Sequence, residues 1–564
     1  MRDDTVADRA RLAALVLARR LRRLGLAARR PVRGLAARRS RAPERLLIAP
    51  QDIRTADPTV AADIYSGYFV FDGKAVNTRG ASPFDVDPPS EAWAAALAGF
   101  GWLRHLRAAD TALARVNARA LVGDFIAGAG RGGGPGLRPA VTARRLLSWL
   151  SQSPLILEGA DAVFYRAFTR SLARQADALL GAVERGLGGR ARLTALVALC
   201  EVALCAEGLG RLQRHASRLL ADELGRQILP DGGHVSRDPQ ALLDLLLDLL
   251  PLRQAFAARQ VAPPAPLLNA IDRMMPMVRC FRHGDGAMAL FNGMGSTRPD
   301  VLATVLAYDD ARGAPLADAR YSGYQRLAAG AACLIVDAGP PPPPAFACRA
   351  HAGTLSFEFS HGTQRLIVNC GAAPETQPAA REASRATAAH STLVLGDRSS
   401  SRFAPRGPLR GMLYIGPRLV TAQRSAAPEG EALALSHDGY ARRAGYLHTR
   451  RLWLAADGLR LAGEDSLVPA EGRRPAPDAF AIRFHLHPAL RTVAARHGTA
   501  ALIAAPDGAR WLFEAGGLPV AIEEGIFFAS PDGTRRAEQV VLYGEAAGPA
   551  AVAWSLTREA GAGD

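Results

Sequence analysis

The sequence predicts a chain of two large parts, an all-α domain followed by an antiparallel β-sandwich. From Ser90 to about Met294, apolar residues recur every three or four positions, the spacing of helices that bury one face. From about Tyr321 onwards, apolar and polar residues alternate instead, and Asp-Gly turn signals recur, for example at 438–439 and 507–508. Helices followed by short strands therefore predict a multidomain chain of α-then-β type.

The helical domain is predicted over residues 91–295. An apolar stripe with helical spacing is formed by Phe164, Phe168, Leu172, Leu179 and Val183. The segment Gln240–Phe256 repeats this pattern, with Asp244 and Asp248 on its polar side. Gly-rich breaks such as Gly128–Gly136 separate the helices.

The β-sandwich is predicted over residues 300–564. Residues 355–360 alternate between apolar and polar, and a His-Gly pair then separates them from the apolar residues 366–368, which predicts a hairpin. A second hairpin is predicted where residues 453–456 and 459–461 flank an Asp-Gly turn.

Basic charge is concentrated at the N-terminus. The chain has 69 basic and 53 acidic residues, a formal net charge of +16. Residues 1–45 contain fourteen arginines and four acidic residues, so most of the surplus lies there. Lys74 is the only lysine, which is typical of a coding bias rather than of a dedicated phosphate-binding surface. We therefore expect a flexible basic arm over 1–45, a linker with a short hairpin over 46–90, and no specific nucleic-acid partner.

The basic arm contains an amphipathic stretch. Its apolar segment Leu12–Ala18 is short, is followed at once by arginines and lacks a small-residue cleavage site, which disfavours a secretory signal. A basic amphipathic helix over residues 1–45 is suited to contact an anionic membrane surface, and a solvated tail is the alternative. The longest apolar run elsewhere, Leu193–Ala206, contains Glu201 and is shorter than the roughly 20 residues of a membrane-spanning helix.

Six sequence stretches, taken in order, carry a resemblance to a known family. They are DGGHVSRDPQ (231–240), HAGTLSFEFS (351–360), LIVNCGA (366–372), RATAAHSTLVLGD (385–397), HDGY (437–440) and RFHLHP (483–488). Together they resemble the heparinase II/III-like family over roughly residues 91–560. The resemblance implies that the helices form an incomplete (α/α) toroid, that the family's C-terminal β-sandwich follows, and that a glycan cleft lies between the two.

The function that the resemblance implies is that of a polysaccharide lyase, which cleaves a uronic-acid-containing glycan by β-elimination. In this reaction the sugar carboxylate is neutralised while a Tyr or His removes the neighbouring proton. The catalytic candidates are His234, Tyr324, His351 and His390. Structural roles are the alternatives: a helix-capping loop histidine for His234, a strand-edge aromatic for Tyr324 and a core histidine for His390.

Cationic and hydrogen-bonding residues in the same motifs are expected to contact the acidic sugar. These substrate-binding candidates are Arg237, Arg349, Arg385, Asn369, His485 and His487. In RFHLHP, Arg483 alternates with the two histidines on one face of a predicted strand, which would gather three polar heads there. An ordinary solvated strand face is the alternative.

The first sandwich motif departs from the family pattern. The family usually has His-x-His-x-Asp before Leu-Ser-Phe, whereas this chain has Arg349, His351 and Gly353, and Asn369 replaces an acidic residue. His351 and His390 correspond to histidines used around the active site or a bound metal, so a zinc ion at these two residues is the metal hypothesis. Because zinc prefers His, Cys and carboxylate ligands, we expect that no cofactor is required.

Two functional hypotheses stay open. The first is a lyase that acts on an acidic polysaccharide or oligosaccharide between toroid and sandwich. The second is a glycan-binding protein of the same fold that has lost catalysis, as the changed motif suggests. The resemblance implies the cell envelope or periplasm, whereas the missing secretory signal favours the cytoplasm.

Overall fold

The computed structural model describes residues 6–28, 42–129, 134–308 and 313–559, and it places helices before strands. The helices of the first half are α1 (Val6–Ala28), α2 (Thr59–Tyr65), α3 (Glu91–Gly99), α4 (Leu103–Ala109), α5 (Ala112–Asp124), α6 (Pro139–Ser151), α7 (Ser153–Leu157), α8 (Ala162–Glu184), α9 (Gly189–Cys205), α10 (Gly210–Gln227), α11 (Pro239–Ala258), α12 (Ala265–Cys280) and α13 (Pro299–Ala307). Antiparallel sheets follow, so the predicted order of a helical region and then a β-region is confirmed.

The core of the helical domain is built around α9. Every residue from Leu193 to Cys205 in this helix is buried, because α9 is surrounded by α6, α8, α10 and α11. A helix that is apolar on all sides must lie inside a domain, which explains the long apolar run without a membrane. The toroidal arrangement of the helices stays a prediction from the resemblance.

Residues 46–90 belong to the helical domain instead of forming a linker. The predicted hairpin is present as β1 (Tyr68–Phe71) and β2 (Lys74–Asn77). Phe69 of this hairpin and Ile64 of α2 are buried against Trp93 and Trp102 of the helical domain. The aromatic residues of this segment are visible in the sequence, but their burial against the helical domain depends on tertiary packing.

The β-region consists of two large sheets. Its strands are β3 (Asp318–Ala319), β4 (Tyr324–Ala329), β5 (Ala332–Asp337), β6 (Phe357–His361), β7 (Gln364–Val368), β8 (Leu393–Leu395), β9 (Arg402–Phe403), β10 (Leu413–Ile415), β11 (Val420–Ala427), β12 (Gly430–His437), β13 (Tyr446–Ala455), β14 (Arg460–Pro469), β15 (Asp478–Leu486), β16 (Arg491–Ala495), β17 (Ala500–Ala504), β18 (Arg510–Ala515), β19 (Val520–Phe527), β20 (Arg535–Ala546) and β21 (Ala550–Arg558). Short helices α14 (Pro378–Ser384) and α15 (Ala441–Ala444) interrupt them.

The two sheets share one apolar core. One sheet has the strand order β11-β12-β13-β14-β21-β18-β17-β16, and the other has the order β19-β20-β15-β7-β6-β5-β4-β3, with β8 added beside β15. Phe357 of the second sheet stacks on Trp554 of the first, with ring centroids 5.6 Å apart. The β6–β7 and β13–β14 hairpins are the two that the sequence predicts. The predicted boundary is shifted, however, because helix α13 occupies 299–307 and strands begin only at Asp318.

Part of the basic arm contacts the β-region, which corrects the expectation of a free arm. The Asp8 carboxylate of α1 accepts a hydrogen bond from Arg402 at 2.7 Å. Leu12, Leu15 and Val16 pack on the apolar cluster around the β9–β10 hairpin. The rest of the arm, residues 1–5 and 29–41, lies outside the described residues. Within the described ranges, none of the helices combines the length and apolar character that crossing a membrane requires.

Candidate functional site

The candidate residues of the helical domain lie in the loop between α10 and α11, where this domain meets the β-region. Asp238 ends the loop and caps α11, since its carboxylate accepts a hydrogen bond from the Gln240 amide at 3.0 Å. The other oxygen of Asp238 accepts a hydrogen bond from Arg349 of the β-region at 2.9 Å. The DGGHVSRDPQ motif thus forms part of the domain junction.

Arg237 is fully engaged in holding this junction together. Its five N–H groups donate to the backbone oxygens of Ser322 (2.7 Å), Gly323 (2.9 Å), Gly339 (3.0 Å) and Pro340 (2.9 Å) and to the carboxylate of Asp337 (2.6 Å). A guanidinium has five N–H donors in total, so none is left for a ligand. The predicted substrate-binding role of Arg237 is therefore wrong, because the side chain fastens the two domains.

Tyr324 is buried in the same junction. Its hydroxyl donates to the backbone oxygen of Arg237 at 2.6 Å and accepts a hydrogen bond from the Asn292 amide at 2.8 Å. The side chain has no exposed surface, and burial raises the pKa of its hydroxyl above the usual value. A general base must be reachable and must lose its proton, so the catalytic role predicted for Tyr324 is not supported by its position.

His234 is also a structural residue. Its Nδ1 contacts the Ser236 hydroxyl at 2.6 Å and accepts from the Ser236 amide at 3.1 Å, while Nε2 lies 3.0 Å from the Gln227 side-chain oxygen. Burial lowers the pKa of His234 to about 3, so the ring is neutral at physiological pH. Both ring nitrogens are used within the protein, which corrects its predicted place in a cleft and favours the loop-histidine alternative.

His351 and His390 form a hydrogen-bonded pair within the β-region, 3.2 Å apart between Nδ1 of His351 and Nε2 of His390. The tautomers follow from the partners. Nδ1 of His390 lies 2.7 Å from the Ala386 backbone oxygen, which can only accept, so Nε2 of His390 is the acceptor for His351. Burial lowers the pKa of His390 to about 4, and burial together with His390 and nearby arginines lowers the pKa of His351 further below its ordinary value.

One atom of this pair is available for chemistry. Nε2 of His351 has no hydrogen-bond partner among the described residues, and the tautomers leave it with a lone pair. The His351 residue as a whole is buried, with 6% of its surface exposed. Asn292 fixes the backbone at this point, since its side-chain oxygen accepts from the His351 amide at 3.0 Å.

Asn292 unites four predicted residues that the sequence analysis had treated separately. Its side-chain amide donates to the Tyr324 hydroxyl and to the Arg237 backbone oxygen, and its oxygen holds His351, which in turn contacts His390. The signal for Asn292 in the sequence is its position in the Gly-rich stretch FNGMG, where it adopts a positive φ of 51°.

Gly353 is explained by the histidine pair. A Cβ atom at this position would lie 2.7 Å from Cδ2 of His390, closer than side chains tolerate. The family aspartate that precedes Leu-Ser-Phe is therefore incompatible with His390 in its present place.

Arg349 and Arg385 differ in their availability. Arg385 is buried and donates to the backbone oxygens of Ala350 and Gly411, so its position does not support the predicted substrate contact. Arg349 donates to Asp238 and to the Gly293 backbone oxygen and also faces Glu375, but 37% of its side chain remains exposed. Arg349 can therefore still contact a ligand beside His351.

Asn369 belongs to a buried polar cluster that the sequence analysis missed. The Glu358 carboxylate accepts hydrogen bonds from the Asn369 amide at 2.9 Å and from Nε2 of His283 at 3.0 Å. Burial opposes the charge on His283, but hydrogen bonds to Cys333 and Glu358 outweigh it and raise the pKa of His283 to about 9. His283 precedes the β-region in sequence, so the cluster fastens the domains together, and Asn369 does not reach a ligand.

The RFHLHP strand does not present three polar heads to a sugar. His485 is buried, with Nε2 2.9 Å from the Ala388 backbone oxygen and Nδ1 3.5 Å from the Cys370 sulfur. His487 lies beyond the end of β15 and contacts the Arg365 guanidinium at 3.1 Å. His485 is buried and His487 is half-buried against Arg365, so these contacts give no support to their predicted role in substrate binding.

The donor set does not fit the zinc hypothesis. The described residues contain no group of three or more His, Cys, Asp or Glu side chains placed to hold a metal ion. His351 and His390 direct nitrogens at each other, and Gly353 and Asn369 stand where carboxylates would complete the set. A zinc site needs about four ligands, so the metal role of the two histidines is not supported.

The chain is similar to one family model and to a curated relative. The model of the family described as heparinase II/III-like, C-terminal, matches residues 311–555. FtsZ-localized protein C of Caulobacter vibrioides is 34% identical over 544 residues, which cover 92% of this chain and 91% of that protein.

Solved structures share the fold at low sequence identity. A crystal structure of heparinase III covers 93% of this chain and 88% of its own, with a TM-score of 0.73 and 14% identity. A mutant of the heparan sulfate lyase HepC from Pedobacter heparinus covers 99% of this chain and 92% of its own, with a TM-score of 0.66 and 15% identity. The chain therefore belongs to the same family as FtsZ-localized protein C over nearly its whole length, and its residues 311–555 form a heparinase II/III-like C-terminal domain.

Proposed function

We propose that this chain uses a lyase fold as a binding scaffold, without β-elimination, and that it associates with FtsZ. The absence of β-elimination is supported by Arg237 and Tyr324, whose hydrogen-bonding groups are all paired inside the domain junction. Proton abstraction beside a neutralised carboxylate needs both a reachable base and free donors. Arg237 has no free donor, and the buried Tyr324 hydroxyl is not reachable as a base.

The association with FtsZ rests on the relative. The identity to FtsZ-localized protein C extends through both domains, whereas the heparinases share the fold at 13–15% identity. The proposed location is accordingly the division site. This location replaces the cell envelope or periplasm as the expectation to be tested.

Contact of α1 with a membrane surface is part of this proposal. While Leu12 and Val16 pack on the β-region, Leu17 and Leu21 are exposed at 56% and 57%. The exposed Arg20 lies between them in sequence. Exposed leucines next to arginines suit the interface of an anionic bilayer.

The decisive experiment is co-sedimentation of the purified full chain with FtsZ polymers. The chain should pellet with FtsZ in the presence of GTP and stay in the supernatant without FtsZ. The heparan sulfate lyase from Pedobacter heparinus is a fold-matched control that should not pellet. A chain that stays in the supernatant at all FtsZ concentrations would contradict the association, and a C-terminal fluorescent fusion imaged beside labelled FtsZ tests it in cells.

A second candidate function is the lyase itself, because Nε2 of His351 is unpaired and oriented. In this reaction Nε2 would remove the proton, and Arg349 would neutralise the carboxylate of an acidic polysaccharide. The full chain would then release an unsaturated uronate product, measured by its ultraviolet absorbance. His351→Ala should abolish this activity, while the exposed His497→Ala should leave it unchanged.

A further inference from the structure

The helical domain encloses a cavity that is separate from the histidine pair. It has a volume of about 1000 Å³, and the described residues that line it all lie between Gln51 and Pro251, with none from the described β-region. One wall carries the aromatic residues Tyr68 and Phe71, and helices α9 and α11 supply the polar side chains Glu201 and Asp248. Such a volume is suited to a small organic ligand.

Two buried carboxyl oxygens in this cavity lack a partner. Glu201 and Asp248 are each 2% exposed. Oε2 of Glu201 and Oδ2 of Asp248 make no hydrogen bond within the described part of the chain. Buried polar atoms almost always find a partner, because an unmade hydrogen bond costs free energy. These two oxygens therefore indicate a missing donor.

The guanidinium groups of the cavity already have partners. Arg54 and Arg144 each donate to Oδ1 of Asp248 at 2.5 Å, Arg190 donates to Asp244 at 2.8 Å, and Arg104 donates to the backbone oxygens of Thr55 and Gly101 at 2.9 and 2.7 Å. None of these guanidinium groups donates to Glu201, and its Oε2 has no donor among the described residues.

The charge of the lining has the opposite sign to the charge of the chain. Six carboxyl groups and four guanidinium groups line the cavity, although the whole protein has a net charge of +16. An acidic sugar would add negative charge beside Asp248 and the other carboxylates of the lining, which Coulomb's law disfavours. A positively charged donor would satisfy both oxygens.

We infer that this cavity binds an organic cation whose ammonium or guanidinium group donates hydrogen bonds to Glu201 and Asp248. Tyr68 and Phe71 would face the cation with their rings, a favourable arrangement for a positive group. Burial and the nearby Asp248 raise the pKa of Glu201 well above its ordinary value, and a bound cation would restore the carboxylate. The cation could belong to a free amine or to a basic side chain of a peptide.

Isothermal titration of the full chain tests the inference, with spermidine as a free amine, acetyl-arginine methylamide as a basic side chain and glucuronate as an acidic sugar. At least one cation should bind and glucuronate should not. Glu201→Gln should weaken the cation by about ten-fold or more, the scale of one lost charge-assisted hydrogen bond. Glu207→Gln, six residues away and 52% exposed, is the matched control and should not change the affinity.

A second variant protects the test against misfolding of Glu201→Gln. Ala140 lines the cavity from the exposed side of α6, so Ala140→Trp should obstruct it while leaving the core intact. Loss of cation binding in this variant supports the inference. Absence of cation binding to the parent chain, glucuronate binding that Ala140→Trp abolishes, or unchanged cation affinity in both variants would overturn it. None of these results depends on FtsZ, so failure of the cation inference would not contradict the proposed association with FtsZ.

Discussion

Replacing Arg237 tests whether this side chain fastens the domains or serves a ligand. Arg237→Leu removes all five donors at once and leaves the Asp337 carboxylate buried without its counter-charge. Four backbone oxygens also lose their hydrogen bonds. The change therefore acts on stability before it acts on any ligand.

The expected magnitude follows from the burial of the pair. Removing one partner of a buried ion pair costs about 3–5 kcal/mol, because the other charge remains without water or a counter-ion. For domains of this size, each kcal/mol lowers the melting temperature by roughly 2–4 °C, so we expect a loss of about 10 °C. Asp337→Asn combined with Arg237→Leu should recover part of this loss, because the buried charge is then gone as well.

Differential scanning fluorimetry of these variants is the assay. Arg226→Leu is the control, since this arginine is 67% exposed in the same domain and should change stability by no more than about 0.5 kcal/mol. If Arg237→Leu has the same melting temperature as the parent protein, the guanidinium does not hold the junction together, and the prediction that it binds a ligand would be favoured again.

Three further predictions concern stability. The folded pKa of His283, about 9, lies above its ordinary value of 6.5. The contribution of this histidine to folding stability is therefore complete below pH 6.5 and is lost as the pH rises through 9. Between these pH values the melting temperature of the parent should fall more steeply than that of His283→Gln. Gly353→Asp should destabilise by about 1–3 kcal/mol in urea unfolding because of the clash with the histidine pair, whereas Gly548→Asp, with open space around it, should not. Deleting residues 1–28 should lower the melting temperature and abolish sedimentation with anionic vesicles. Asp8→Ala should lower the melting temperature without abolishing vesicle sedimentation, because Asp8 holds α1 to the β-region.

The sequence allowed the domain order and the main hairpins to be predicted because these features depend on local periodicity. The alternation at residues 355–360 and the turn that follows correspond to β6 and β7. Boundaries were less accurate where few residues decide the packing. Phe69 anchors the segment 46–90, and Asp8 anchors α1, but the distant elements that they contact are decided by tertiary packing and not by local sequence.

The roles of the candidate residues could not be predicted in the same way. His, Arg and Tyr side chains serve a catalytic site and a buried hydrogen-bond network equally well, and only tertiary contacts distinguish the two. The acceptors of Arg237 lie about a hundred residues further along the chain, at 322–340. His351 and His390 are 39 residues apart in sequence and meet only in the folded β-region.

The absence of β-elimination is the central claim, and one measurement tests it most directly. The full chain is incubated with a panel of acidic glycans, and the absorbance of unsaturated uronate is followed beside the heparan sulfate lyase from Pedobacter heparinus as the positive control. The account predicts product from the control and none from this chain, and it predicts that Tyr324→Phe lowers only stability, by about 1–3 kcal/mol, through the lost hydrogen bond to Arg237. Formation of unsaturated uronate by the parent chain, whether or not Tyr324→Phe abolishes it, would contradict the account.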